Sequence, residues 1–175
     1  MKTYDGDFGS TKLSDGTTVS KDSPRVETYG VIDELNSFLG FAAAHSNDKK
    51  VKDTIRIVQK NLFTLGADLA SRKKGDKAKS IITKDHVEEI EHIIDDFQKE
   101  LPKITKFILP GGTVSSSALH VARSVCRRAE RRLVALQRKE SINETIIVYV
   151  NRLSDLLFVL ARYANIKEGK EEFWE

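Results

Sequence analysis

Residues 117–136 read SALHVARSVCRRAERRLVAL, a stretch that combines the period of a helix with a concentration of arginine. Apolar residues recur at steps of three and four, which is the spacing of a helical stripe that packs into a core. That stripe consists of Ala118, Ala122, Val125, Ala129, Leu133 and Leu136. A second, polar line on the same helix consists of His120, Arg123, Arg127 and Glu130. We therefore predict a long amphipathic helix whose polar face is the first candidate for a binding site.

Length and composition indicate a single domain with its own core. A chain of 175 residues is long enough to bury a core without disulfides. The single cysteine, Cys126, has no partner for an internal bridge and stands beside the apolar stripe. We expect it to pack as a small hydrophobic residue rather than to react. No apolar leader or membrane-spanning stretch is recognisable, so we expect a cytoplasmic protein.

Four further segments have helical periodicity. Of the five predicted helices, the first two run from Pro24 to about Ala44, with Ser23 as N-cap, and from Val51 to Ala70. The third is capped by Thr83 and stops before Pro102, and the fourth is the arginine helix, which begins at about Ser115. The fifth is capped by Asn143 and continues to Ala164. No stretch has a convincing strand period, and the connections are mostly short. These features predict an all-α fold, a five-helix up-and-down bundle.

The first 23 residues are rich in glycine and hydroxyl side chains and have no sustained apolar period, which predicts a loop. Glycines let backbone amides approach a ligand closely, and neighbouring hydroxyls donate to phosphate oxygens. Residues 6–11 are therefore a candidate anion cradle, although the spacing is not that of a Walker A loop. A flexible terminus is the alternative, and composition alone favours it. We divide the chain into a flexible N-terminal loop, 1–23, which is the candidate anion cradle, and a helical-bundle domain, 24–175.

Two other features have an ordinary structural explanation. Glu89 and His92 form a Glu-x-x-His unit, but a di-metal carboxylate bundle needs two such units, and no other histidine has a glutamate three residues before it. We therefore predict no metal site built from protein side chains. Phe107 precedes a Pro-Gly-Gly turn, and on composition alone it is a core aromatic, because large aromatic side chains are usually buried.

Several motifs, in their order along the chain, resemble the PduO-type ATP:cob(I)alamin adenosyltransferase family. They are TYDGDFGST at 3–11, KDSPRVETYGVIDELN at 21–36, FILPGGT at 107–113, ARSVCRRAERR at 122–132 and YVNRLSD at 149–155. Their joint occurrence is specific, and the resemblance covers nearly the whole chain. It implies a five-helix bundle of the ferritin-like, cobalamin adenosyltransferase-like type. It also implies a homotrimer with each active site between neighbouring subunits.

The resemblance implies a reaction as well. The cobalt of cob(I)alamin attacks the 5′ carbon of ATP, expels inorganic triphosphate and leaves adenosylcobalamin. ATP and cobalamin are then substrates, and Mg²⁺ helps to neutralise the triphosphate. Because the nucleophile is cobalt, the absence of a Ser-His-Asp or Cys-His arrangement is consistent with this chemistry. The implied protein partners are a cob(II)alamin reductase and an adenosylcobalamin-dependent acceptor enzyme.

Roles for individual residues follow from the same resemblance. Phe107 displaces the lower axial ligand of cob(II)alamin, so that four-coordinate cobalt accepts an electron more readily. Asp33 and Arg123 form a charge pair across the subunit interface beside the corrin, and Arg127 stabilises the leaving triphosphate. The residues expected to hold the nucleotide are Thr3, Gly6, Asp7, Gly9, Ser10, Thr11, Lys21, Arg127, Arg128, Glu130, Arg131 and Asn151.

Two other classes of function stay open at this point. An arginine-rich helix is compatible with a nucleic-acid-binding module, but Glu130 interrupts the basic face and the formal net charge is only +3. The second class is a purely structural bundle in which Arg128 and Arg132 are merely solvated. We favour the enzyme, because the motifs occur together, and we expect neither a nucleic acid nor a membrane as partner.

Overall fold

The computed structural model describes residues 6–70 and 81–174 as a bundle of five helices. The helices are α1 Pro24–His45, α2 Lys49–Leu69, α3 Lys84–Gln98, α4 Val114–Gln137 and α5 Thr145–Lys167. Their apolar faces meet in a single core. The predicted all-α, five-helix bundle is confirmed, while the trimer stays a prediction. No helix in the described ranges has an apolar stretch of the length that a membrane crossing requires.

Side-chain caps fix where several helices begin, as the sequence predicts. Ser23 Oγ accepts a hydrogen bond from the Val26 amide, and Pro24 occupies the first turn of α1. Asp48 caps α2 in the same way, so this helix begins two residues before the predicted Val51. The fifth helix begins at Thr145 with Glu144 as its N-cap residue, so the predicted cap Asn143 is wrong by one position. The Asn143 side chain nevertheless accepts a hydrogen bond from the Thr145 amide at 3.1 Å.

Helix α4 lies between α1 and α5 and runs antiparallel to both. Near its start, the Ser115 hydroxyl donates to the Ala42 carbonyl oxygen near the end of α1, at 3.3 Å. All six residues of the predicted apolar stripe are buried. The arginine-rich stretch is therefore the central helix of the bundle, and only its polar residues are left to face outward or toward a groove.

The N-terminal segment contains a small β-hairpin that the sequence analysis did not predict. Strands β1 Ser10–Lys12 and β2 Thr18–Ser20 pair antiparallel, with Thr11 opposite Val19. Strands of three mostly polar residues show no alternation that a sequence pattern would reveal. The amide and the hydroxyl of Ser14 both donate to the Ala70 carbonyl oxygen, at 2.9 Å each, so the hairpin is attached to the end of α2. The flexibility of residues 1–23 stays a prediction.

A buried arginine joins three elements at the same end of the bundle. Arg25, in the first turn of α1, has a side chain only 4% exposed, and its Nε donates to Glu140 Oε2 at 2.9 Å. Its Nη1 donates to the carbonyl oxygen of Leu69, the last residue of α2, at 2.6 Å. The guanidinium therefore connects the start of α1 with the end of α2 and with the turn that follows α4.

We expect Arg25→Ala to lower the free energy of unfolding by about 3 kcal/mol, because it leaves the Glu140 carboxylate partly buried without this partner. Urea denaturation at fixed protein concentration measures the change. Lys49→Ala is the control, since it removes an exposed pair with Asp53 and should cost about 0.5 kcal/mol or less. Equal, small losses in the two variants would contradict an anchoring role for Arg25.

Candidate active site

One concavity on the outer face of α4 collects three of the predicted nucleotide residues. It has a volume of about 370 Å³. Its lining consists of Arg127, Glu130, Arg131, Val134, Ala135 and Arg138. Steps of three and four residues place these side chains on one face of the helix. Three guanidinium groups against one carboxylate make the concavity positive, which suits a polyphosphate.

Asn151 on α5 belongs to the same site through a hydrogen bond between helices. Its Nδ2 donates to Glu130 Oε1 at 3.0 Å, and its Oδ1 accepts from Arg152 Nη1 at 3.0 Å. Arg152 Nε in turn donates to Glu91 Oε1 on α3 at 2.7 Å, and this bond raises the pKa of the arginine. The chain of contacts fixes the direction of the Glu130 carboxylate. Sequence reasoning missed Arg152, although it lies within the YVNRLSD motif that drew attention to Asn151.

Arg128 is separated from the other predicted nucleotide residues. It follows Arg127 by one residue and so points to a different side of α4, where its guanidinium forms an ion pair with Glu34 of α1. One turn further, Arg132 Nη2 lies 3.3 Å from Glu27 Oε1, also on α1. These two arginines tie α4 to α1. The structure therefore does not bring Arg128 into the concavity, although the sequence placed it in the nucleotide site.

The N-terminal candidates share the hairpin and the turn that leads into it. Thr3 lies outside the described residues. Those described are Gly6, Asp7, Gly9, Ser10, Thr11 and Lys21. The Lys21 amide donates to the Gly9 carbonyl oxygen at 2.8 Å. A Cβ atom on Gly6 would lie 3.2 Å from Lys21 Nζ, so the ammonium group packs against the backbone there. The structure thus brings the predicted lysine to the predicted glycine turn.

Phe107 lies on the connection between α3 and α4, and its side chain is 79% exposed. The expectation from composition that it is a core residue is therefore wrong. The Phe107 carbonyl oxygen accepts a hydrogen bond from the Trp174 amide at 2.8 Å, and the two rings meet edge to face with centroids 6.4 Å apart. Sequence reasoning gave Trp174 no role, because nothing in the sequence places the end of the chain beside this turn.

Asp33 and Arg123 do not meet within one chain. Asp33 is exposed at the rim of a groove between α1 and α2, which also contains Phe63, 70% exposed. Arg123 instead faces α5, with its guanidinium 5.9 Å from the centre of the Phe158 ring. Burial, and secondarily the charge of Arg127, lowers its pKa. Among the described residues no atom forms a hydrogen bond with the buried Arg123 Nε.

His120, the first member of the predicted polar line, turns inward instead. It is only 4% exposed, and its ring meets Phe158 edge to face at 6.2 Å. Burial is the main cause that lowers its pKa to about 4, so the imidazole is neutral near pH 7. Neither ring nitrogen has a hydrogen-bond partner within the described part of the chain. The polar face of α4 therefore begins at Arg123.

Comparison with known proteins places this chain and its fold in one family. The sequence model of the family described as cobalamin adenosyltransferase matches residues 1–164. The chain is similar to the corrinoid adenosyltransferase of Bacillus subtilis (strain 168), with 46% identity over 177 residues that cover 97% of this chain and 89% of that protein. A corrinoid adenosyltransferase of Citrobacter freundii is 40% identical over 161 residues, which cover 91% of this chain and 92% of that protein.

A solved structure gives the same result in three dimensions. A variant of the PduO-type ATP:corrinoid adenosyltransferase from Lactobacillus reuteri, complexed with cobalamin and ATP, matches with a TM-score of 0.92 and 38% identity. The match covers 99% of this chain and 98% of that chain. This chain belongs to the cobalamin adenosyltransferase family, as its motifs predicted.

Cys126 lies in an environment that makes its thiol unreactive. The residue is fully buried, and its Sγ donates to the Val150 carbonyl oxygen at 3.3 Å. Burial, and secondarily the nearby Glu130 carboxylate, raises its pKa well above the usual value. The predicted packing of Cys126 as a small hydrophobic residue is confirmed.

We expect Cys126 of the folded protein to react with an aromatic disulfide reagent at least about 100-fold more slowly than that of the denatured protein, because thiolate formation and access both require opening. Absorbance of the released thiolate follows the reaction. The chain has a single cysteine, so the signal needs no further assignment. Comparable rates before and after denaturation would show that the thiol is accessible and reactive.

Proposed function

We propose that this chain transfers the 5′-deoxyadenosyl group of ATP to the cobalt of a reduced corrinoid, cob(I)alamin, and releases inorganic triphosphate. The cobalt electron pair forms the bond to C5′, the C5′–O bond breaks, and its electron pair leaves on the triphosphate. Cobalt passes from the +1 to the +3 state. The observation that carries the proposal is the positive concavity on α4, in a chain of the cobalamin adenosyltransferase family, with Glu130 held in place from α5 by Asn151.

Charge in the concavity suits the leaving group. Negative charge grows on the triphosphate as the C5′–O bond breaks, and guanidinium groups that are already in place stabilise it. Arg127 and Arg131 lie on the same face of α4, and the turn with Gly6 and Lys21 adds backbone amides and an ammonium group at the N-terminal hairpin. Glu130 and Asn151 are suited to hold the hydroxyl and amine groups of the nucleoside. Orientation of C5′ toward cobalt supplies a large part of the rate.

A magnesium ion is part of the proposal, as a companion of ATP. Within residues 6–70 and 81–174, no three side chains of His, Cys, Asp or Glu are arranged to hold a metal ion. Protein sites commonly hold Mg²⁺ with one or two carboxylates and the phosphates of the substrate. The ion would neutralise part of the triphosphate charge.

Phe107 is proposed to act on the corrin rather than on ATP. An aromatic ring that is 79% exposed offers an apolar face that a flat macrocycle can cover. Such a ring excludes water or a base from the lower axial position of cob(II)alamin. Loss of that ligand makes the one-electron reduction of cobalt easier, because axial ligation tunes the potential of a macrocycle-bound metal. A cob(II)alamin reductase supplies the electron.

A homotrimer with shared sites accounts for the separation of Asp33 from Arg123. Asp33 stands at the rim of a partly apolar groove with the exposed Phe63, and Arg123 has a buried Nε that lacks a partner among the described residues. A carboxylate from a neighbouring subunit satisfies that group beside the corrin. We also propose that the protein acts in the cytoplasm. An adenosylcobalamin-dependent enzyme accepts the product.

Nucleic-acid binding is the weaker alternative for the arginine-rich helix. Arg128 and Arg132 form ion pairs with Glu34 and Glu27, so the charges of these two arginines are paired within the bundle. Phosphate tracking needs a stripe of cations that face solvent. The alternative predicts strongly salt-dependent binding of nucleic acid, which a titration at two salt concentrations detects.

We expect the wild-type protein to form adenosylcobalamin from ATP, Mg²⁺ and cob(I)alamin, and Arg127→Ala to lower kcat/KM for ATP about 100-fold, because a donor to the developing charge is lost. Absorbance of the light-sensitive product measures the rate. Arg132→Ala is the matched control, with the same charge change on another side of α4, and we expect less than about a twofold effect. No product from verified cob(I)alamin would overturn the proposed function, and equal losses in the two variants would overturn the role of the concavity.

A site shared between subunits makes a further prediction. Asp33→Ala and Arg123→Ala should each impair the enzyme, but about a third of the interfaces in trimers that contain both variants combine the intact Arg123 of one protomer with the intact Asp33 of the next. Differently tagged variants are co-expressed and purified through both tags. We expect the hybrid to recover activity that neither variant has alone. Hybrids as inactive as the single variants would show that the two residues do not act across an interface.

A further inference from the structure

The last described residues, 170–174, run back along the Phe107 segment as a short strap. Ile108 and Phe173 form an antiparallel bridge. The Leu109 amide donates to the Glu172 carbonyl oxygen at 3.0 Å, and the Trp174 amide donates to the Phe107 carbonyl oxygen at 2.8 Å. The connection between α3 and α4 has no helix of its own around Phe107. Its backbone is therefore held at Phe107 by hydrogen bonds to the strap.

A buried ion pair fixes the start of this strap. Arg162 on α5 and Glu171 have side chains only 6% and 7% exposed. Arg162 Nε donates to Glu171 Oε1 at 2.9 Å and Nη2 donates to Oε2 at 3.2 Å, which is a two-point contact. The same Nη2 also donates to the Pro102 carbonyl oxygen at 3.1 Å. One guanidinium thus holds both the strap and the entry to the Phe107 connection.

We propose that Arg162 and Glu171 are positioning residues that set the place of Phe107 through the strap. The inference rests on the proposed function, since it specifies how the exposed ring is held ready for the corrin. A phenyl ring displaces an axial ligand only if it stays where the ligand would return, and a ring 79% exposed on a non-helical connection has little packing of its own to keep it there. The strap supplies that restraint.

The character of the Arg162–Glu171 pair favours positioning over stability. A buried ion pair contributes little net stability, because desolvation of both charges offsets their attraction. Its two-point geometry, however, fixes direction as well as distance. Two other ion pairs at this end of the bundle differ, since Lys50 and Lys167 each make a single contact with a half-exposed Glu100. Those pairs hold no part of the strap.

Hydrogen exchange of the ligand-free protein tests the restraint itself. Glu171→Gln keeps the size of the side chain but removes its charge, so we expect the Leu109 and Trp174 amides to exchange roughly tenfold faster than in wild type. Glu100→Gln is the matched control at the same end of the bundle, and it should leave both amides unchanged. Unchanged exchange in Glu171→Gln would overturn the proposal, because the ion pair would then not hold the strap.

Spectroscopy of bound cob(II)alamin with ATP tests the consequence for Phe107. Electron paramagnetic resonance distinguishes four-coordinate from five-coordinate cobalt(II). We expect Glu171→Gln, like the positive control Phe107→Ala, to lose most of the four-coordinate signal and to turn over slowly from cob(II)alamin with a reduced flavin as electron donor. With cob(I)alamin prepared beforehand, its kcat and its KM for ATP should stay near wild type, as should those of Glu100→Gln. If Glu171 had only a structural role, Glu171→Gln would affect turnover from cob(II)alamin and turnover from cob(I)alamin to the same extent.

The outcomes separate this inference from the proposed function. Wild-type protein that makes no adenosylcobalamin from cob(I)alamin overturns the function, and with it the role assigned to the strap. Active wild type with a full four-coordinate signal in Glu171→Gln overturns the positioning role alone. If circular dichroism shows that Glu171→Gln is misfolded, Arg162→Lys decides by the same comparisons. That variant keeps the charge but loses the two-point contact, so its four-coordinate signal should also fall, and a full signal would overturn the proposal.

Discussion

The packing of α4 between α1 and α5 is the constraint on which the fold and the site both depend. One side of this helix carries small and branched apolar residues that lie in the core, and such a stripe leaves only the remaining side for polar groups. Antiparallel contact with α5 then brings Asn151 opposite Glu130, while contact with α1 takes up Arg128 and Arg132. The same helix therefore separates the arginines that bind α1 from those that line the concavity.

The axis of α4 also sets the distances within the site. Phe107 precedes its first turn, and Arg127 lies about 20 Å along the axis from Val114. The N-terminal hairpin is attached at the opposite end of the bundle from Phe107, beside the end of α2. Two large substrates that react end to end suit such an elongated arrangement. Arg123 lies between the two parts, and in the proposed trimer Asp33 of a neighbouring subunit would meet it there.

The sequence predicted what depends on local periodicity and missed what depends on long-range contact. The α4 stripe, the Ser23 cap and the burial of Cys126 follow from spacing and residue type, and all are confirmed. The hairpin was not predicted, because strands of three mostly polar residues show no alternation of apolar and polar side chains. The pairing of the strap with the Phe107 connection was not predicted either, since the paired residues are more than sixty positions apart and no local sequence pattern indicates their contact. Composition predicted that Phe107 is buried, and this was wrong because residue type alone does not show which aromatic side chains lie on an exposed connection.

In the proposed reaction cobalt attacks C5′ and triphosphate leaves intact. Phosphorus nuclear magnetic resonance of a single turnover, with wild-type protein, ATP, Mg²⁺ and cob(I)alamin, distinguishes this course from attack at phosphorus. We expect one equivalent of inorganic triphosphate for each cobalt–carbon bond formed. ADP with phosphate, or pyrophosphate formed during the turnover with no triphosphate, would contradict it, because attack would then have taken place at phosphorus.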